Sequence, residues 1–357
     1  MKKLSLILGA LLAVGAVAQA KEEVVAPVVE EVIIAEPVVE QVVVEEAFRP
    51  SGYVGLEYKA YGNTEGHGDK IGFNPLEEDK WNRGQNNYSR LQTTFGIQVT
   101  ENFKLDGRIR DYNDLEKNDE IKYENKKHGT DTRLRGYYKH NDMFTSRIEY
   151  RDTEKNEERY EYQLRYNAYT NEGGLVDKVI LAPKVARRVK PNHRYYYNRL
   201  GVDAYLTGNL PLGLTWENNY YLNYDMHNSD ILGLANNTKK DKEFNLEVEL
   251  YLRKSFALYE TEKSNLNLDL EIGYDPYKFN QYKRIIEVNP DGTVSTYRRA
   301  YDLRSLIDLG YTYSLTENVD VKTGIGAEYR NWDITEEPRA KDWRWQPFAY
   351  AAMNVKF

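Results

Sequence analysis

The chain has 357 residues, a formal net charge of −7 and a mean hydropathy of −0.75. It contains no cysteine, which excludes disulfides, thiolate metal sites and a lipid-modified N-terminal cysteine. Nucleic-acid-binding domains carry a basic excess, which this composition lacks. Tyrosine is unusually abundant, with 31 residues beside 10 Phe and 5 Trp. The hydropathy is that of a soluble protein, but transmembrane β-barrels have similar averages because their apolar and polar residues alternate.

The N-terminus has the pattern of a secretory signal peptide. Met1, Lys2 and Lys3 form a basic start, an apolar run follows from residue 4 to 17, and Ala18-Gln19-Ala20 fits the small-residue cleavage signature. The apolar run is too short to cross a bilayer of about 30 Å, which needs roughly 20 residues. We therefore predict that residues 1–20 are a signal peptide and that the mature chain starts at Lys21.

Residues 21–50 are a low-complexity segment of Val, Glu and Pro. The tetrapeptide Pro-Val-Val-Glu occurs at residues 27–30 and again at 37–40. Proline and mutually repelling carboxylates disfavour a packed element, so the segment is interpreted as an extended periplasmic tether. A plain spacer is the favoured role, and contact with the cell wall or a periplasmic partner is the alternative.

From Ser51 to Phe357 the sequence alternates apolar and polar residues with a period of two. Clear examples are residues 88–99, 103–110, 243–254, 264–274 and 319–330. Alternation over about ten residues fits a tilted transmembrane strand, whereas strands of soluble sandwiches average about 5–6 residues. The pattern predicts an all-β fold, an antiparallel transmembrane β-barrel that spans residues 51–357.

Counting the alternating segments predicts fourteen strands, with sixteen as the alternative if residues 277–288 contain additional pairing. The predicted strands start near residues 52, 88, 103, 131, 143, 159, 177, 195, 212, 243, 264, 299, 319 and 343. Short links at 100–102, 140–142, 208–211 and 314–318 are interpreted as periplasmic turns, and long polar stretches at 62–86, 113–130, 225–242, 275–298 and 331–341 as extracellular loops. An even strand count places both termini in the periplasm.

Aromatic residues lie near the predicted strand ends, where amphipathic rings form girdles at the membrane interfaces. They are Trp216, Tyr311, Tyr313, Tyr329, Trp332, Trp343 and Trp345. The chain ends on Phe357 within its last predicted strand, which is typical of bacterial outer-membrane barrels. We expect this residue to be recognised by the barrel-assembly machinery, and the outer face of the barrel to contact outer-membrane lipid.

Fourteen strands spaced about 4.8 Å apart form a barrel of roughly 14 Å radius, wide enough for a water-filled pore. The inward face is predicted to be charged, with basic residues on strands two to six and acidic residues mostly on later ones. The predicted pore-lining residues are Arg90, Arg108, Arg110, Arg133, Arg135, Arg147, Arg151, Arg165, Glu149, Glu161, Glu247, Glu249, Asp269 and Glu271, with Glu217 beside them. These charges either simply solvate the lumen or, as a set, tune ion selectivity.

The sequence contains no recognisable catalytic motif, and we expect no enzyme activity, cofactor or metal site. Four of the five histidines, His67, His128, His193 and His227, fall in predicted outer loops, and His140 falls in a predicted turn. No two of them have metal-ligand spacing. Asp225-Met226-His227 at the top of a strand keeps a rim protease open as a weak alternative.

Several stretches resemble the fusobacterial major outer-membrane porin family. They are Gly273–Asp275, Gln281–Ile285, Arg298-Arg299, Ala327–Asn331 and, most specifically, Trp343–Pro347 continuing to Phe357, with Arg49-Pro50 and Arg90–Thr93 as lesser matches. The resemblance implies a fourteen-stranded, trimeric channel for general diffusion of small hydrophilic solutes, with outer loops that adhere to other surfaces. This chain departs from the family in its Val- and Glu-rich tether and in most outer loops.

The leading hypothesis is therefore a homotrimeric outer-membrane porin for passive diffusion of ions and small hydrophilic solutes. The alternative is a surface adhesin or receptor that binds a host or bacterial partner through loops 62–86, 225–242 and 275–298. Bilayer conductance separates the two, because only the porin requires an open lumen.

Overall fold

The computed structural model describes residues 48–65, 87–115, 128–153, 155, 157–191, 194–235, 239–288, 294–333 and 341–357. The predicted signal peptide and nearly all of the predicted tether lie outside these residues. The same is true of His67, His193 and the middle parts of three predicted outer loops, 62–86, 113–130 and 331–341, and the side chain of Trp332 is likewise not described.

Fourteen antiparallel strands form one closed barrel in which each strand pairs with its neighbours along the chain and β1 pairs with β14. The strands are β1 Ser51–Tyr61, β2 Tyr88–Gln98, β3 Phe103–Asp114, β4 Gly129–Lys139, β5 Phe144–Asp152, β6 Glu158–Thr170, β7 Lys178–Val189, β8 Tyr196–Leu210, β9 Leu214–His227, β10 Lys242–Glu260, β11 Ser264–Val288, β12 Val294–Thr316, β13 Val319–Asp333 and β14 Lys341–Lys356. The predicted fold class and the count of fourteen are confirmed, and the sixteen-stranded alternative is wrong.

The barrel closes where the first strand meets the last. The β1–β14 ladder runs from Tyr53 opposite Lys356 to Tyr61 opposite Phe348. Beyond it, the Gly52 N–H donates to the Phe357 carbonyl at 2.9 Å, and the Phe357 N–H donates to the Gly52 carbonyl at 3.0 Å. The C-terminal residue is thus part of the seam, and both ends of the barrel segment lie at one end of the barrel, here called the termini end.

Most links at the termini end are tight. The prediction of a link at 208–211 is shifted, because β8 continues to Leu210 and the turn is Pro211–Gly213. Leu212 and Gly213 both have φ of 67°, a conformation that suits glycine and strains leucine. At the opposite end, here called the loop end, the links at residues 153–157 and 190–195 are also short, with five and six residues between the strands. The predicted alternation of short and long links is therefore only partly regular.

The predicted outer loop 275–298 is mostly strand. The β11–β12 ladder continues past the barrel wall to the pair Val288–Val294, so residues 277–288 lengthen an existing strand and add no new one. Register shifts between Tyr274 and Tyr277 and between Phe279 and Arg284 break the alternation, which is why the sequence pattern resembled a loop. Leu234 forms a further bridge to Arg284 on this hairpin extension.

The two faces of the barrel have opposite chemistry. Large apolar side chains on one face are exposed, such as Ile148 at 65% and Ile325 at 62%, whereas Glu149, next to Ile148, is 1% exposed. Side chains on the charged face also meet across an intervening strand: Gln163 on β6 donates to Asp203 on β8 at 2.5 Å. Such contacts identify the charged face as the concave, inner one, because side chains converge there.

Aromatic rings on the outer face lie towards both ends of the barrel. Tyr329 packs against Trp343 and Trp345 near the loop end, with ring centroids 5.3 and 4.7 Å apart. Tyr311 and Tyr313 are exposed near the termini end. In the part of the chain that the structure describes, no helix is long and apolar enough to cross a membrane.

Because the chain has no native cysteine, single cysteines can report on the two faces of β13. We expect Lys322→Cys, on the inner face, to react rapidly with a charged, water-soluble thiol reagent in reconstituted vesicles. Ile325→Cys, three residues further on the outer face, should react slowly because lipid shields it. Equal reaction rates at the two positions would contradict the assignment of the faces.

Candidate functional site

All fourteen residues that the sequence predicts to line a pore lie on the inner face. Cross-strand register fixes this placement, since directly opposed residues share a face. Gln92 faces Arg110, Asp106 faces Arg135, and Arg253 faces Glu271 in their respective ladders. For the residues on β2 to β5, the period-two pattern was sufficient because no bulge interrupts these strands.

Glu149 is the centre of the largest ion-pair cluster on the inner face. Its carboxylate accepts from Arg135 Nε at 2.6 Å and from Arg159, and Arg147 lies 3.8 Å away. Arg147 also donates to Glu161 on β6. The Glu149 side chain is fully buried. One carboxylate thus holds three guanidinium groups from β4, β5 and β6, which fixes their positions on the wall.

A second carboxylate serves two further arginines. Asp131 on β4 pairs with Arg151 at 2.8 Å and lies 3.8 Å from Arg108. On β1, Glu57 pairs with Arg90 at 2.5 Å. These pairs are partly buried, so they reduce the net positive field of the basic wall without removing it.

Three of the predicted arginines have no carboxylate partner among the described residues. Arg110 donates to the Gln92 amide oxygen at 2.6 Å, and Arg165 donates to the Gln163 amide oxygen at 3.1 Å. Arg133 has no acidic side chain of the described chain within 4.0 Å. These side chains contribute positive charge to the inner face of β3, β4 and β6 without a direct ion pair among the described residues.

The inner face of β9 to β11 is predominantly acidic. Glu217 and Glu271 share Arg253, each at 2.7 Å. Glu249 accepts from the Tyr221 hydroxyl at 2.8 Å, and Glu247 lies 3.9 Å from Lys278. Asp269 faces Asp308 across the β11–β12 ladder. The basic wall and this acidic wall lie on different parts of the circumference, as the sequence predicted.

The sequence reading missed two inner-face features. Arg159 and Arg188 were omitted, although Arg159 precedes Glu161 by two residues and so shares its face. A cluster of buried rings also lines the wall near the loop end: Tyr61 stacks on Tyr88 at 4.4 Å between centroids. The Lys59 ammonium lies 3.4 Å from the Phe348 ring centroid of the same cluster. The abundance of tyrosine was the only sequence signal for this cluster, and the sequence pattern placed aromatic residues only in girdles at the strand ends.

The sequence pattern placed His227 in an outer loop, and this prediction is wrong. His227 is the last residue of β9 and lies on the inner face, where Asp225 and Glu243 are near it. Asp225 accepts two hydrogen bonds from Arg199, at 2.6 and 2.7 Å, and Glu243 pairs with Arg284. Because each carboxylate already has a guanidinium partner, an added metal cation would be repelled by Arg199 and Arg284.

The His227 ring is held from both sides. Its Nδ1 lies 2.5 Å from the Tyr195 hydroxyl, and its Nε2 lies 3.3 Å from Glu243. Burial, and then the charge of Glu243, raises the pKa of Tyr195 to about 12, so this hydroxyl is protonated and donates to Nδ1. The arrangement is a structural network that ties β8, β9 and β10 together, and it does not support the rim-protease alternative.

A scan against protein-family models finds no match, and a search of curated proteins finds none either. Among solved structures, the chain is similar to a bacterial polysaccharide outer-membrane secretin, with 11% identity, a TM-score of 0.41, and coverage of 86% of this chain and 98% of that one. It is similar to the outer-membrane channel DcaP of Acinetobacter baumannii, with 10% identity, a TM-score of 0.37, and coverage of 87% and 96%.

The NanC porin is also similar, with 9% identity, a TM-score of 0.35, and coverage of 85% of this chain and 100% of that one. At such identities and TM-scores, the assignment of a function has to come from the inner-face residues of this chain. The resemblance to the fusobacterial porin family stays a prediction.

Replacing Glu149 by Gln should destabilise the barrel by about 3–5 kcal/mol, because it leaves three guanidinium groups around a neutral side chain in a buried position. Asp142→Asn is the control, since Asp142 pairs with Lys139 in an exposed turn, where such pairs contribute little. Urea titration of detergent-folded protein measures both. An unchanged midpoint for Glu149→Gln would show that the cluster is not a stabilising centre.

Proposed function

We propose that the protein is an outer-membrane porin that lets ions and small hydrophilic solutes diffuse through its lumen. The observation that supports this proposal is the charge-rich inner face of a closed, fourteen-stranded barrel whose outer face is mostly apolar. A barrel of about fourteen strands is too wide for its wall side chains to fill, so water occupies the remaining space. The apolar exterior requires a lipid environment, and a closed sheet leaves no unpaired backbone groups in it.

The proposal includes an orientation and partners. Both ends of the barrel segment would lie in the periplasm, and the loop end would face outward. Phe357, which pairs with Gly52 at the seam, would be the residue that the barrel-assembly machinery recognises. Outer-membrane lipid contacts the exterior, and the family resemblance favours a homotrimer. No step of this function needs a cofactor or an enzymatic group.

A second candidate function rests on the hairpin extension of β11 and β12. This extension is a paired, rigid element beyond the barrel wall and is braced by the Leu234–Arg284 bridge. An adhesin or receptor would use such an element to contact a host or bacterial surface. The porin function is preferred because a charged inner face has no use in a protein that acts only through its exterior.

Purified protein in planar bilayers should produce stepwise increases in conductance that scale with the bulk conductivity of the electrolyte. The physical reason is that a water-filled lumen conducts like a column of the same solution. A matched preparation that has been heat-unfolded should produce no steps. Silence of the folded protein, together with binding to cells that depends on residues 275–303, would favour the adhesin.

Ion selectivity should depend on those charged side chains of the two walls that have no ion-pair partner among the described residues. Neutralising Arg110, Arg133 and Arg165 to Gln should shift the reversal potential under a salt gradient toward cations, because positive charge is removed from the inner face. These three arginines are chosen because their replacement leaves no carboxylate without its cation. Neutralising Glu249 and Asp269 to Gln and Asn should shift it toward anions.

Arg187→Gln is the matched control for selectivity. Arg187 lies on the outer face of β7, where its guanidinium stacks 4.1 Å from the Tyr196 ring centroid, so its removal should leave the reversal potential unchanged. If the inner-face variants behave like this control, those side chains do not face the conducting path.

A further inference from the structure

Five arginines on the inner face form an unbroken row across five consecutive strands. Arg108 faces Arg133, Arg133 faces Arg151, Arg151 faces Arg159, and Arg159 faces Arg188 in the successive ladders from β3 to β7. Directly opposed residues in a sheet have Cβ atoms only about 4.5–5.5 Å apart, and like charges at that spacing are destabilising. Anions must therefore lie beside this row to offset the repulsion between its guanidinium groups.

The chain supplies fewer anions than the row needs. Asp131 is shared by Arg108 and Arg151, and Glu149 pairs with Arg159 but also holds Arg135 and Arg147. Glu157 lies 3.7 Å from Arg188 and also pairs with Lys190. Arg133 has no carboxylate among the described residues. Four of the five guanidinium groups thus share three carboxylates, and two of these carboxylates, Glu149 and Glu157, also pair with cations outside the row.

The row ends in a cavity of about 330 Å³ at the loop end of the lumen. Its lining residues are Arg151, Thr153, Lys155, Glu157, Arg159 and Arg188. The volume falls in the range of small-molecule sites, roughly 300–1,000 Å³. Arg151, Arg159 and Arg188 keep 33%, 19% and 24% of their side chains exposed, so each can still contact a solute.

The cavity wall is fixed by its own backbone contacts. The Thr153 N–H donates to the Glu157 carbonyl at 3.1 Å, and the Glu157 N–H donates to the Thr153 hydroxyl at 3.2 Å. The Nε–H groups of Arg151, Arg159 and Arg188 are buried and have no acceptor in the described part of the chain. Each guanidinium carries five donors, so the cavity presents many more N–H groups than the carboxylates can accept.

We propose that this cavity is a binding site for a phosphate-type oxyanion, which makes phosphate and small phosphorylated solutes preferred passengers of the pore. Guanidinium forks match the paired oxygens of phosphate, and the site is on the inner face, where a lipid headgroup cannot reach it. The site deepens the proposed porin function by naming a solute class. The other two arginines of the row, Arg108 and Arg133, continue from the site along the wall as weaker contacts.

The test measures binding and conduction separately. Equilibrium dialysis of detergent-folded protein against radiolabelled inorganic phosphate, at constant ionic strength in chloride, should show saturable binding of one phosphate per chain. Lys155→Gln with Arg188→Gln should raise the dissociation constant at least about tenfold, since two of the four cations that line the cavity are lost. Arg187→Gln, one residue from Arg188 but on the outer face, should bind like the parent chain.

In planar bilayers the parent channel should show a chloride current that falls saturably as phosphate is added, and the double variant should need about ten times more phosphate for the same reduction. Folding of each variant is confirmed by heat-modifiable gel mobility. Absence of saturable phosphate binding, or an unchanged constant in the double variant, overturns the site. Saturable phosphate binding to a protein that never conducts would support the binding site and contradict the porin function. Conduction without phosphate binding would support the porin function and contradict the binding site.

Discussion

Backbone hydrogen bonding is the constraint on which the rest of this structure depends. A sheet whose outer face is mostly apolar and lies in lipid cannot leave N–H and C=O groups unpaired, because hydrocarbon provides no partners for them. The chain meets this requirement through the seam between β1 and β14, completed by the mutual hydrogen bonds of Gly52 and Phe357. Closure in turn creates a concave interior, and every charged residue discussed above owes its setting to that curvature.

The interior combines order with incomplete charge compensation. Glu149 and Asp131 hold five arginines in defined positions, whereas Arg110, Arg133 and Arg165 have no carboxylate partner in the described chain. Ion pairs of this kind fix side-chain geometry, and the surplus cations set the local electrostatic potential at the inner face. The acidic inner face of β9 to β11 gives the opposite potential on another part of the wall. The lumen therefore differs in charge along its circumference.

The strand count, most strand positions and the face of every predicted lining residue could be read from the sequence, because all of them follow from a period of two. The reading failed where that period breaks. Bulges in β11 concealed the continuation of strand beyond Tyr274, so the segment looked like a loop. His227 was placed in a loop because the polar end of β9, from Asp225 on, continues without a break in character into Asn228, Ser229 and Asp230. The arginine row could not be predicted, since cross-strand register depends on turn geometry that the alternation pattern does not encode.

The seam has a consequence for how the chain acquires its fold. The contacts between β1 and β14 join residues about 300 positions apart, such as Tyr53 and Lys356. Contacts of such sequence separation are the slowest to form, because the entropy of closing the loop between them must be lost first. The chain is synthesised from its N-terminus, so one edge of β1 stays unpaired until β14 has been made. An unpaired edge strand is a template for pairing with other chains, so keeping the edge of β1 apart from them until β14 arrives is a kinetic requirement of folding.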